Sequence, residues 1–382
     1  RSWGGGTVIL SPRDLKREQL VKLSDEIRAL QGGHVLVDPQ FYVPRSDHHR
    51  LTSHDYWPAS YQTNGFFSGT GMQTLLSTVL QLNQDLGCAA FILPGLMADT
   101  IDDIWLETLR TTSEHAATMN AGMPLYATVA LSSDSVKNTA GIQDVLAEFE
   151  TLDVEGAYLL FEHPNGDYIV QDPVWLANAL ELAAGLRLLG KKVIVGYANH
   201  VLLCLGAASV NAIASGTWMN VRAFSRERFL AADEEDIKRK AVWYYDAASL
   251  SEYKPAFLDM ALQRGVLTSM APQPAFGSTY AAALFSGVQP SSVGFGEQEA
   301  FRHYLQCLLQ QARGVRAATF DATVANLQQT LNAAERQARL LAQNGVLPQL
   351  RGFSDAFDPV RSALASLEAT RGAMLRRAWP TL

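Results

Sequence analysis

The chain has 382 residues, 48% hydrophobic and 18% charged, which can supply a substantial core and disfavours a disordered chain. Its 31 basic and 38 acidic side chains give a formal charge of -7, which argues against a broad nucleic-acid surface and lends nothing to a membrane-surface role. Cys88, Cys204 and Cys307 fit no zinc-ligand spacing and read as buried, unpaired thiols of a reducing compartment.

In the first two thirds of the chain, short β-branched runs alternate with amphipathic stretches. Strands are predicted over 7–10, 34–37, 90–93, 125–130, 156–161 and 192–196, with weaker ones over 211–214 and 241–245. Continuous apolar runs without period-two alternation fit parallel strands covered on both faces. Residues 15–30 carry Leu15, Leu20, Leu23, Ile27 and Leu30 at helical spacing. Asp172 before Pro173 is an N-cap followed by proline at the first helical position, and Gly190 ends that helix. No Gly-x-Gly-x-x-Gly follows the first strand, since Gly4-Gly5-Gly6 precedes it, so a dinucleotide fold loses support.

The connection after Val37 is unusually long. Its aromatics Phe41, Tyr42, Tyr56, Trp57, Tyr61, Phe66 and Phe67 predict an ordered loop that covers a site or meets a partner, with a helix resuming over 71–82. Beyond Gly296, helices are predicted over 298–313, 320–343 and 357–375; the middle one aligns Val324, Leu327, Leu331, Ala334, Ala338 and Leu341. Met260, Leu262, Met270, Phe276 and Phe285 read as core that joins the two parts. The expected fold is a (β/α)8 TIM-like barrel over residues 1–255, with an insertion at about 42–70, and a helical C-terminal region over 256–382. No segment is apolar enough to span a bilayer and no secretory leader is evident, so a soluble cytoplasmic protein is expected.

In a barrel, chemistry collects at the C-terminal ends of the strands. Asp38 closes the second strand and Glu162 the fifth, a pair that would serve as acid/base and nucleophile at a glycosidic bond. Tyr197, Asn199 and His200 follow the sixth strand; His200 would move protons and Asn199 orient the substrate. Trp218 would stack on a ring, Asn220 contact the substrate, and Arg13 and Arg222 meet an anionic group. No cofactor is expected. A divalent metal would fall to Asp38, Glu162, His163 and His200, although no compact His-x-His or His-Glu-x-x-His pattern supports one. Gly-x-Ser-x-Gly and Walker motifs are also absent.

Residues 205–222, Leu-Gly-Ala-Ala-Ser-Val-Asn-Ala-Ile-Ala-Ser-Gly-Thr-Trp-Met-Asn-Val-Arg, resemble the late-barrel region of the tRNA-guanine transglycosylase superfamily. That resemblance implies base exchange at a glycosidic bond through two aspartates, with Asp38 or Asp99 as the early acid. At the later position the chain offers Ser215 or Asn220 instead of a carboxylate, and the superfamily's cysteine-rich zinc site is missing. Three functions are therefore open: a barrel enzyme acting on a nucleoside, nucleotide or related sugar compound, a metal-assisted hydrolase, or a non-catalytic barrel scaffold of a nucleic-acid-processing assembly. A small nucleoside-like substrate, and a protein partner or second copy at the C-terminal helices, are the expected ligands; no membrane is expected.

Overall fold

A computed structural model describes residues 3–61, 65–67, 69–119, 121–230 and 241–382. Residues 62–64 and 68 of the insertion expected at about 42–70 lie outside the described residues. The chain is a mixed α/β fold with a C-terminal helical extension. It divides into two units, one of Arg1–Glu162, Gly185–Gly196 and Phe224–Glu235, the other of His163–Ala184, Tyr197–Ala223 and Asp236–Leu382.

The first unit begins with β1 (Gly6–Leu10), α1 (Arg17–Arg28) and β2 (Gly33–Val37). The strands pair in parallel, from Gly6 opposite Gly33 to Leu10 opposite Val37. After the long connection come α2 (Thr70–Leu86), β3 (Phe91–Ile92), β4 (Met97–Ala98), α3 (Asp103–Thr118) and β5 (Leu125–Leu131). Next follow α4 (Ser133–Lys137), α5 (Thr139–Phe149), β6 (Gly156–Phe161), then α6 (Pro173–Leu188) leading to β7 (Lys192–Val195). β3, β5, β6 and β7 form a parallel ladder, and β4 continues along β5 beyond β3.

β3 and β4 are two halves of one edge strand. Pro94 has no amide to donate, and a Cβ at Gly95 would stand 2.9 Å from Thr128 Cβ. The Thr128 hydroxyl donates to Leu93 O at 2.6 Å, while Trp105 Nε1 donates to Leu96 O at 3.0 Å. Side chains thus take over the carbonyls that the interrupted ladder leaves.

The eight-stranded barrel expected from the sequence is not formed. The first unit carries β3 to β7 in an open parallel sheet, and β1 and β2 pair as a separate two-stranded sheet. The two weaker strand predictions are where the count fails. The run at 211–214 yields only β8 (Ala212–Ile213), and that at 241–245 shifts to β9 (Tyr244–Asp246). β9 pairs antiparallel with β10 (Ser251–Tyr253). Only residues 247–250 separate them, with Leu250 in the left-handed region at φ 53°. So short a turn makes a hairpin, whereas a parallel crossover needs a dozen residues or more.

In the second unit, Asn199 caps a 3-10 helix, His200–Ala208, by accepting from Val201 N at 2.9 Å. After the hairpin come α7 (Pro255–Gln263), α8 (Glu297–Val315), α9 (Phe320–Gln343) and α10 (Phe357–Ala378). α9 buries Leu327, Leu331, Ala334 and Leu341 from the predicted stripe, with Thr323 in place of Val324 at its start. Tyr244, Tyr253, Leu258, Ala261, Met270, Leu284 and Leu341 share one core cluster. Met260 and Leu262, predicted as core, are 36% exposed because α7 turns Leu258 and Ala261 inward instead. The three cysteines are free and buried, and burial pushes each thiol up to about 12.

Candidate strand-end site

In the first unit, the chain leaves β1 and β2 at the same end, a consequence of their parallel pairing. Asp38 follows β2 directly and is 2% exposed. Its Oδ1 accepts from Gln40 N at 3.0 Å and from the Tyr42 hydroxyl at 2.5 Å; its Oδ2 accepts from the Tyr158 hydroxyl at 3.3 Å. Hydrogen bonds to an ionised carboxylate offset part of what burial costs it. The turn after Asp38 puts Gln40 at φ 55°, a conformation costly for a residue with a side chain. Gln40 Oε1 accepts from Arg13 N at 2.8 Å, and its Nε2 donates to Ser11 Oγ at 2.9 Å, so the side chain joins the two strand ends.

The long connection closes over the same place. His54 Nε2 lies 2.9 Å from Pro12 O, and the Tyr56 hydroxyl donates to Pro39 O at 2.8 Å. Phe41 is wholly buried and packs at 5.1 to 6.1 Å from the rings of Trp57, Tyr61 and Phe66. The described part of the connection is fastened just beyond β1 and β2. Tyr42 packs edge-on against Phe224 and Phe229, at 5.3 and 4.9 Å. Arg13 is turned to Asp14, at 2.8 Å, and to the carbonyl of Arg228.

Glu162 continues β6 by one residue, bridged in parallel to Phe224. Its Oε1 accepts from Arg226 N at 3.0 Å and its Oε2 from Ser133 N at 3.3 Å, and it is only partly buried. Arg226 in turn pairs with Asp99 at 2.5 Å. Alternation along an extended strand puts Tyr158, Leu160 and Glu162 on one face. The Tyr158 hydroxyl, on the strand face that alternation also gives Glu162, reaches Asp38. His163 opens the second unit, with its Nδ1 2.9 Å from Asp167 O and its ring 5.6 Å from Trp175.

The remaining predicted residues belong to the second unit. Asn199 Nδ2 donates to Tyr168 O at 2.7 Å and Arg222 O at 3.1 Å, so its amide serves the backbone. His200 is 1% exposed, caged by Tyr168, Tyr245, Tyr304 and Phe353 at 4.9 to 6.0 Å. Burial pushes its imidazole down to about 4, so it is neutral at physiological pH. Arg222 donates to Gly216 O and Thr217 O at 2.8 and 3.0 Å, and lies 3.6 Å from the Tyr304 ring centroid. Tyr197 adopts φ 51°, Trp218 is 41% exposed, and the Asn220 Oδ1 is buried without a hydrogen-bond partner among the described residues.

Two residues of this network were not predicted. Glu252 is 2% exposed and stands 2.7 Å from Arg351 and 3.7 Å from Arg222; the Tyr168 hydroxyl also donates to it at 2.7 Å. Burial alone would raise its carboxyl, but Arg222 and Arg351 outweigh that and hold it below the usual range. An acid in the tyrosine-rich run from Tyr244 to Tyr253 was the available signal for Glu252; a partner 99 residues away in sequence gives none.

Among the described residues, no group of three or more His, Cys, Asp and Glu side chains is placed to hold a metal ion. A cavity of about 10 Å³, lined by Leu93, Trp105, Thr112 and Thr128 among others, has room for one water and touches none of the predicted site residues. Among the described residues no helix is long and apolar enough to cross a membrane. No protein-family model and no curated protein matches the chain.

Proposed function

We propose that the chain is an enzyme acting on a glycosidic bond of a nucleoside, nucleotide or related sugar compound at the strand ends of the first unit. The observation that carries this is the Tyr158 hydroxyl on Asp38, from the strand face that alternation also gives Glu162. Asp38, oriented by two phenols and an amide, is suited to face the positive charge that grows on the sugar as the bond breaks. Glu162, partly open to solvent, gives its proton to the departing nitrogen or oxygen and takes one back from the incoming water or base. Asn199, His200 and Arg222 hold the second unit together and carry no step. The segment 205–222 runs from helix to short strand to an arginine-bearing loop, the order seen in the transglycosylase resemblance, which favours nucleosides among the substrates.

The test is release of free base or sugar from a panel of nucleosides, nucleotides and aryl glycosides, comparing the unmodified chain with Asp38→Asn and Glu162→Gln. Release lost in both folded variants is expected. A folded, unmodified chain that releases nothing across the panel overturns the reading. A second reading, a non-catalytic scaffold, draws on the burial of Asp38 and the Tyr42, Phe224 and Phe229 packing beside it. On that reading Asp38→Asn lowers stability and changes nothing else.

A further inference from the structure

Serine hydroxyls of the second unit differ in what accepts their proton. Ser269, Ser286 and Ser292 are exposed, and each donates to the carbonyl three residues before it, at 2.8, 2.8 and 2.7 Å. A carbonyl accepts such a bond but cannot take the proton away. Ser278 is placed otherwise, with its hydroxyl 2.8 Å from His303 Nδ1. The other ring nitrogen fixes the tautomer. His303 Nε2 stands 2.8 Å from Tyr245 O, and a carbonyl only accepts, so Nε2 carries the hydrogen. Nδ1 therefore holds the lone pair, and Ser278 is the donor. Burial holds this imidazole down at about 4, so it is neutral at physiological pH.

Two neighbours hold the ring in place. Tyr244 stacks on it with centroids 4.9 Å apart and planes at 14°, and Cys307, one turn along α8, sets Sγ 3.7 Å from Nδ1. Of these groups, the serine is the one that solvent reaches. His303 and Cys307 are each 1% exposed, whereas Ser278 is half-buried between the exposed Gly277 and Thr279. The segment is tied to α8 at a second point, where Gln306 Nε2 donates to Gly277 O at 2.7 Å. A reachable hydroxyl, a base in hydrogen-bond contact with it and a carbonyl that orients the base are the parts of an activated serine.

We propose that Ser278 is a nucleophile toward activated acyl groups, thioesters or aryl esters, with His303 as its base and the Tyr245 carbonyl orienting that base. Ser278 Oγ bonds to the acyl carbon while its proton passes to His303 Nδ1. The C–S or C–O bond then breaks, and the departing thiolate or phenolate takes that proton. Water adds to the acyl carbon by the same route, passing a proton through Nδ1 to Ser278 Oγ and releasing the carboxylic acid. Between these transfers the imidazolium faces the Tyr245 carbonyl and the Tyr244 ring, both suited to a positive charge. A base held at about 4 is too weak to drive attack on an amide, whose amine leaves poorly, and this restricts the substrates to activated acyl groups. The proposal does not depend on the glycosidic reading, whose two carboxylates belong to the first unit.

The test treats the intact chain with a fluorophosphonate, locating adducts by peptide mass spectrometry, and with p-nitrophenyl acetate, following nitrophenolate release. An adduct is expected on Ser278, with Ser269, Ser286 and Ser292 unmodified, together with a stoichiometric burst of nitrophenolate. Ser278→Ala, which removes only a half-buried hydroxyl, should lose both. His303→Gln should slow labelling by about a hundredfold or more, and Ser278→Ala decides the matter if that variant does not fold. Asp38→Asn should label as the unmodified chain does, which separates failure here from failure of the glycosidic reading. No adduct on Ser278, equal labelling of the other three serines, a burst that survives Ser278→Ala, or an unchanged rate in folded His303→Gln each overturns the proposal.

Discussion

Two carboxylates in this protein are equally buried, each 2% exposed, and are held in opposite ways. Asp38, in the first unit, accepts from two phenolic hydroxyls and a backbone amide. Glu252, in the second, accepts from Arg351 and Tyr168 and lies within ion-pair distance of Arg222. Hydroxyl and amide donors orient a carboxylate without cancelling its charge, whereas guanidinium groups do both. Glu252 is answered within the fold by the guanidinium groups of Arg222 and Arg351. Burial alone does not separate the two, but the chemistry of the donors does.

That comparison can be broken most directly at Glu252. Glu252→Gln leaves Arg222 and Arg351 buried against a neutral amide, and chemical denaturation should show a loss of about 3–5 kcal/mol. Asp38→Asn should do the reverse: turnover falls on the order of a thousandfold, about 4 kcal/mol of barrier. Its melting temperature should move far less than that of Glu252→Gln. Equal effects on stability at the two sites would erase the distinction.

Asp246 sharpens it by pH. This carboxyl lies in the second unit, 1% exposed, and burial pushes it up to about 7. The fold therefore favours its protonated form. Its contribution to stability is fully present below about pH 4, declines as the pH rises, and is lost once the pH passes 7. Asp246→Asn should remove that decline and gain up to roughly 4 kcal/mol at pH 8, read from denaturation midpoints across pH. His200 and His303 run the other way: burial holds both near 4, so what they contribute is present above 6.5 and lost as the pH falls toward 4. His200→Phe should flatten the acid limb. The smallest effect is expected for Tyr158→Phe, which removes one long hydrogen bond to Asp38 and should cost about 1 kcal/mol in stability or barrier.

The sequence was a good guide to local structure. The apolar runs became strands, Asp172 capped α6 by accepting from Val174 N and Trp175 N, and the C-terminal helices fell where their periodicity put them. Closure was not legible, because it turned on the strand after Ala241, and the four residues from Ala247 to Leu250 make a hairpin by backbone geometry that periodicity does not record. The strand-end positions of Asp38 and Glu162 were legible because each follows an apolar run. What each accepts from was not, since Tyr158 lies 120 residues from Asp38 and Arg226 lies 64 from Glu162. Asn199 and His200 carry the same strand-end signal yet face inward, so that signal finds polar residues without telling which way they turn.

The three buried thiols give each unit its own clock. Cys88 belongs to the first unit, Cys204 and Cys307 to the second, and none can be alkylated while its surroundings stay closed. The rate at which each is labelled under native conditions therefore measures how often its own neighbourhood opens. Labelling of Cys204 and Cys307 at one rate and Cys88 at another would make the two units separate cooperative blocks, each with its own lifetime.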